Sequence, residues 1–267
     1  MARKIFLSCD IEGTCGIAHW DETERGKPDY VRFAAQMSKE VQAACEGALA
    51  GGAEELLVRD SHDAARNIDP AMLPEQARIF RGWGSDPYSM MSGLDESYAG
   101  AMFTGYHSAA GWSGNPLSHT MNTQNVFVKV NGEDTSELMI NALTASMFGV
   151  PTLMVTGDRM LCEWFQTKVP AAVTVPVNEG VGNGAISIHP EKALRLIREG
   201  AEKAMALDPK QCLYPMPEHF VAEINYRQHF RARSAGWYPG AKQVDERTVR
   251  YESDDWMDVL KFFHFCL

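Results

Sequence analysis

The amino-acid sequence predicts an α/β fold: a mostly parallel sheet flanked by helices, with a smaller C-terminal α+β subdomain. Three observations predict it. Residues 3–60 read as strand, helix, strand. Apolar runs and helix-period segments then alternate as far as residue 206, which argues for helices laid on a sheet. From Asp208 to Pro217 the chain turns rich in proline and polar residues, the composition of a connection. We therefore divide the sequence into residues 1–206, an α/β domain, and residues 207–267, the smaller subdomain.

Each element has its own reason. Residues 3–9 are mostly apolar without alternation, as in a strand buried on both faces. A helix is expected from about Pro28, a residue suited to a first helical turn. Val31, Ala34, Val41, Cys45 and Ala48 keep helical spacing, with Arg32, Lys39, Glu40 and Glu46 assigned to the opposite, solvated side. Gly51-Gly52 ends that helix. The apolar run at Glu55–Val58 gives a second strand ending at Asp60, and a strand–helix–strand unit implies a parallel pair with a right-handed crossover. Further strands are expected at 77–81, 100–105, 125–130, 152–156, 172–177, 219–225 and 247–252. Asn131-Gly132 is a strong turn signal after the strand at 125–130. Helices are expected at 136–148, 159–167, 190–206 and 254–265.

Composition excludes several functions. The 267 residues are 45% hydrophobic and 22% charged, values of an ordinary globular chain. Net charge is −10, and the Lys and Arg residues are scattered. Nucleic-acid binding needs clustered cations, so none is expected. The N-terminal apolar run is about four residues, against roughly 7–15 in a signal peptide. No apolar stretch approaches the roughly 20 residues of a membrane span. A cytoplasmic protein without membrane contact is the expectation. The six cysteines show no paired spacing and read as buried, reduced thiols.

Ligands of open α/β sheets bind beyond the carboxyl ends of the strands. Asp10 and Glu12 follow the first strand, Asp60 and His62 the second, and His107 the strand at 100–105. Taken singly, each has a bland explanation: a turn cap, a solvated charge, a hydrogen-bonded histidine. Their convergence on one rim of one sheet favours a ligand set for zinc or a related divalent metal. Gly13 lets the backbone turn tightly after the paired carboxylates. Glu137, in a first helical turn, is explained either by the helix dipole or as a further ligand. His119 lies in a glycine-rich loop, free to face a substrate as general acid/base or as donor to an oxyanion. A surface histidine without a role is the plain alternative.

These residues form an ordered series of motifs. The series is Ser8-x-Asp10-x-Glu12-Gly13, Asp60-Ser61-His62, Gly105-Tyr106-His107, Ser118-His119-x-Met121 and Glu137-Leu138-x-x-Asn141-Ala142. It resembles the zinc D-aminopeptidases of the dipeptide-transport-operon type. That resemblance implies two zinc ions per subunit, with Asp10 bridging, Glu12 and His62 on one ion, and His107 and Glu137 on the other. It implies His119 as the catalytic histidine and short peptides with an N-terminal D-residue, such as D-alanyl peptides, as substrates. It also implies a homo-oligomer, a decamer of two stacked five-membered rings around an inner chamber. Asp60 is placed outside the ligands, orienting one of the imidazoles.

Other readings are weighed on the same residues. Gly180-Val181-Gly182-Asn183-Gly184-Ala185 has dinucleotide-motif letters, but the next helix is expected only near Pro190. Another two-metal hydrolase, an amidase or a phosphoesterase, would use similar ligands. A phosphoesterase needs cations at the metals, and only Arg59 and Arg66 are near in sequence. A non-catalytic peptide-binding protein with structural metal would bind without turnover.

Overall fold

Parallel strands require a crossover long enough to hold a helix, and the first part of the chain supplies one. In the computed structural model, which describes residues 2–267, β1 (Lys4–Cys9) is followed by α1 (Tyr30–Ala50) and β2 (Glu55–Asp60). β1 and β2 pair in parallel from Lys4 opposite Glu55 to Cys9 opposite Asp60. Gly51 caps α1, and Gly52 takes a left-handed φ of +96°, which a glycine adopts without steric cost.

The chain continues through β3 (Ala77–Phe80), β4 (Gly100–Tyr106), β5 (Asn125–Val130), β6 (Glu133–Asp134), α2 (Glu137–Met147), β7 (Thr152–Asp158) and α3 (Arg159–Lys168). It then forms β8 (Val173–Val181), β9 (Gly184–Ser187) and α4 (Pro190–Ala204). The remainder comprises β10 (Phe220–Tyr226), α5 (His229–Ala235), β11 (Lys242–Gln243), β12 (Thr248–Ser253) and α6 (Trp256–Cys266). A seven-stranded sheet has the order β3-β2-β1-β4-β7-β8-β9. Its pairs are parallel except β8 with β9. β1 and β4 are wholly buried apart from the first residue of β1, as strands covered on both faces must be. α1 packs on α4, α3 and α4 on β7 and β8, and α2 on β4 and β7.

The strand order reverses between β1 and β4. β2 and β3 lie to one side of β1, and β4, β7 and β8 to the other. A crevice opens at such a switch point, beyond the carboxyl ends of the strands.

A second, antiparallel sheet has the order β11-β12-β10-β5-β6, with α6 packed on β10 and β12 and touching α2. This sheet is not confined to residues 207–267, because β5 and β6 belong to it. The reason is local. Asn131 (φ +53°) and Gly132 (φ +80°) turn β5 back as an antiparallel hairpin, and β10 pairs along the other edge of β5.

Two assignments on α1 are corrected. Val31 is 72% exposed, and Glu40 is buried. Glu40 lies inside because its Oε1 accepts the backbone N–H of Cys15 at 3.0 Å and the side-chain amide of Gln36 at 3.0 Å. Five of the six cysteines are buried, Cys266 is half-buried, and all six are free thiols. The glycine-rich stretch at 180–185 forms the β8–β9 hairpin, and no helix opens on it. Among the described residues, no helix is long and apolar enough to cross a membrane.

Candidate metal centre

The residues singled out by sequence meet at the switch point. Asp10 and Glu12 leave the end of β1, His62 the end of β2, and His107 the end of β4. Glu137 opens α2, whose cap is Ser136, with Oγ accepting the N–H of Met139. All five are buried, and His119 reaches the same point from the loop between β4 and β5.

Glycine makes the convergence possible, though not by a tight turn. A Cβ on Gly13 would stand 1.8 Å from the carbonyl oxygen of Tyr106. The requirement is close approach: Asp10 donates its N–H to Thr104 O and Gly13 to Gly105 O, both at 2.8 Å, so the loop after β1 lies directly on the end of β4.

Asp10 stands in the middle. Its Oδ1 is 3.4 Å from Nδ1 of His62, and its Oδ2 is 3.4 Å from Nε2 of His107. Glu12 Oε2 is 3.1 Å from Nδ1 of His62, and Glu137 Oε2 is 3.4 Å from Nε2 of His107. Donor atoms of Asp10, Glu12 and His62 thus lie within 4.8 Å of one another, as do those of Asp10, His107 and Glu137. Glu12, His107 and His119 form a third such group, with the rings of His107 and His119 stacked at 4.3 Å.

Each imidazole is anchored through its other nitrogen. His62 Nε2 lies 3.0 Å from Thr23 O, His107 Nδ1 3.0 Å from Ser108 O, and His119 Nδ1 2.8 Å from Leu117 O. A backbone carbonyl only accepts, so these nitrogens carry the proton. That sets the tautomer and turns the remaining nitrogen of each ring toward the carboxylates.

The centre is electrostatically unfinished. Asp10 Oδ2, Glu12 Oε2 and His107 Nε2 are buried without a hydrogen-bond partner. Burial opposes charge on His62 and His107. The carboxylates outweigh it, Glu12 and Asp10 for His62 and Glu137 and Asp10 for His107, and hold both imidazoles well above the ordinary histidine range. Burial likewise opposes ionisation of Asp10, yet the imidazoles of His107 and His62, each 3.4 Å away, keep its carboxyl well below the usual range. The centre draws positive charge, as protons on the imidazoles or as cations that displace them. Carboxylate oxygens and imidazole nitrogens are the donor set of zinc.

Asp60 does not orient an imidazole. Its Oδ2 accepts the N–H groups of Asn67 and Ile68, and its Oδ1 the side-chain amide of Asn67, which also donates to His62 O at 2.7 Å. It shapes the loop that carries His62. Comparable supports escaped the sequence reading. Asp158, at the end of β7, accepts the N–H and Oγ–H of Ser108 beside His107, and Asn115 donates to Glu12 O. Neither pattern leaves a local sequence signal.

A cavity of about 730 Å³ opens on the centre, lined by Asp10, Glu12, His62, His119 and Glu137 and by Trp20 and Trp83. The Trp20 ring sits 5.3 Å from that of His119. Four of the six non-glycine residues with positive φ among the described residues line it: Asp63, Ser85, Ser89 and Met121. Such backbone strain clusters where ligands bind.

Fold and site together define an α/β protein with a buried carboxylate–imidazole centre, suited to divalent metal, at the floor of a ligand cavity. A family model described as D-aminopeptidase matches residues 3–265, so the chain belongs to the D-aminopeptidase family of peptidases. The D-aminopeptidase of Bacillus subtilis (strain 168) is 30% identical over 259 residues, covering 96% of this chain and 93% of that protein. A solved structure, the Zn-dependent D-aminopeptidase DppA from Bacillus subtilis, a self-compartmentalizing protease, superposes with a TM-score of 0.89. It is 28% identical and covers 98% of this chain and 96% of its own.

Proposed function

We propose that the protein is a binuclear zinc aminopeptidase that releases the N-terminal residue, preferably a D-residue such as D-Ala, from short peptides. The observation that carries the binuclear reading is Asp10. Its two oxygens face two different imidazoles, and Asp10 belongs to both three-residue donor groups that contain those imidazoles. Glu12 and His62 complete one ligand set, and His107 and Glu137 the other. When bound, zinc supplies Lewis acidity and lowers the pKa of water toward neutrality.

The side chains supply the rest. Asp10, Glu12, His62, His107 and Glu137 are buried, and a low-dielectric surrounding strengthens the charge interactions among them. His119 is the most exposed of the three imidazoles, and its Nε2 lies 3.4 Å from Glu137 Oε1 and 4.0 Å from Glu12 Oε1. With Nδ1–H held on Leu117 O, Nε2 is free to accept a proton and to deliver one to the leaving amine. The acidic residues Glu24, Asp63 and Asp86 also line the cavity, a setting that favours a substrate's free ammonium group.

A phosphoesterase would place a cation at the metals. Arg59 instead lies buried over the rings of Phe80 and Trp83, at 4.5 and 4.7 Å, and donates to Phe80 O and Gly82 O. Assembly as a decamer of two five-membered rings is part of the proposal, supported by the self-compartmentalizing relative.

The test is release of free amino acid from matched D-Ala and L-Ala peptides, before and after chelation and zinc add-back. Chelation-sensitive release that favours D-Ala is expected. L preference removes the stereochemical part, and no release by zinc-loaded protein removes the peptidase reading.

A further inference from the structure

Leu260, Phe263, His264 and Leu267 recur at the spacing of one helix face, and the first three lie on α6. That face does not close fully on its neighbours. Between it and α2 lies a chamber of about 250 Å³, whose walls include Leu260, Phe263, Leu267, Ile140 and Tyr88. Among the described residues, no Asp, Glu, Lys or Arg lines it.

The chamber adjoins the metal centre. Ser89, Met121, Asn122 and His264 line both it and the large cavity. α2 joins the two physically, because Glu137 of the metal-type cluster and Ile140 of the chamber wall stand about one turn apart on the same side. Met121 N donates to Glu137 Oε1 at 2.7 Å. Ser89 (φ +52°) and Met121 (φ +64°) hold left-handed backbone at the seam, a conformation costly for side-chain-bearing residues and kept where a ligand is gripped.

We propose that this chamber is a side-chain subsite of the peptidase, receiving an apolar side chain next to the scissile bond. The inference rests on the peptidase reading above and adds a substrate class to it. Alanine's methyl leaves most of the chamber unfilled, whereas leucine or phenylalanine buries its side chain against Leu260, Phe263 and Ile140. Discrimination in an apolar pocket runs at about 10-fold or more per methylene. The enzyme therefore selects a large apolar residue over alanine at the second residue, just after the scissile bond, and rejects a charged one there.

The experiment uses the zinc-loaded protein and short peptides in which the first and second residues are varied separately through Ala, Leu, Phe, Glu and Lys, in D and L forms. At the second residue kcat/KM for Leu or Phe is expected to exceed Ala by about tenfold or more. Leu260→Trp fills the chamber and is expected to bring that ratio toward unity. Leu267→Ala, at a half-buried position, enlarges it and is expected to raise the Phe-to-Leu ratio. Thermal melts show whether each variant is folded, and if Leu260→Trp is not, Leu267→Ala decides. Cleavage without apolar preference at the second residue, or ratios unmoved in the folded variants, overturns the subsite while leaving the peptidase intact. No cleavage of any peptide overturns the peptidase reading and the subsite together.

Discussion

Three buried carboxylates, Asp10, Glu12 and Glu137, within reach of buried imidazoles are tolerable only with positive charge among them. At the residue scale this makes Asp10 the position of greatest consequence. Asp10→Asn keeps the size and the acceptor oxygen that receives Ile11 N–H, but removes the charge shared by both donor groups. Elemental analysis is expected to find zinc falling below one ion per chain in Asp10→Asn. His62→Ala, which touches only one group, keeps about one of the two. Equal loss in both would refute a bridging Asp10. His119 has a different signature. His119→Ala is expected to lower kcat about 10²–10⁴-fold with zinc content unchanged, as removal of a proton-transfer group does. Zinc loss parallel to the loss of rate would instead make His119 a ligand. Carboxylates and imidazoles were legible in the sequence because their identity is their chemistry and because Asp10, Glu12, His62 and His107 follow the ends of strands. The carbonyls of Thr23, Ser108 and Leu117 that orient the imidazoles were not, since a backbone carbonyl carries no residue signature.

At the element scale the loop after β1 is fixed from two directions. On one side it lies on β4 through Gly13. Gly13→Ala would force its methyl into Tyr106 O, and neither backbone can yield without parting β1 from β4. A loss of about 3 kcal/mol or more in chemical denaturation is expected, the upper range of overpacking, together with weakened zinc binding as Glu12 shifts. On the other side Glu40 of α1 holds Cys15 N–H, and burial pushes its carboxyl from 4.5 up to about 7. A buried acid with a raised pKa stabilises fully below its unfolded value, and the contribution is lost as pH rises through the folded one. The window here is 4.5 to about 7, and the cost above it is on the order of 3 kcal/mol. Glu40→Gln is expected to be more stable than the wild type at pH 8 and to lose that advantage at pH 5, read from paired thermal melts. Periodicity placed Glu40 with the solvated residues of α1, because the loop that covers it is a tertiary feature. The same limit applies to β5. Its length and its turn are local and were legible, but its partner β10 lies some 90 residues on, and strand periodicity names no partner.

At the scale of the whole molecule, the metal centre and the fold share one set of contacts. The ends of β1, β2 and β4 and the start of α2 all deliver acids or imidazoles to a single point. A cation there ties four elements from both sides of the switch point together, and its removal leaves their charges to repel. Binding to the folded state alone stabilises by about 4 kcal/mol at a thousandfold excess over Kd, which for a domain of this size corresponds to roughly 10 °C in Tm. Chelation is therefore expected to lower Tm by about that amount, and zinc add-back to restore it. The proposed decamer supplies an independent readout. Light scattering on the eluting protein is expected to give ten times the 29.7 kDa of one chain. If the centre is only local, chelation lowers Tm with the decamer intact. If α6, which packs on both α2 and the second sheet, passes the disturbance outward, the decamer dissociates in step with zinc loss. The structure favours the first outcome, because the donor-bearing strands β1, β2 and β4 are neighbours in the parallel sheet and α2 packs on β4, whereas α6 supplies none of the donors. Dissociation at the same chelator concentration that lowers Tm would show that centre and assembly are coupled after all.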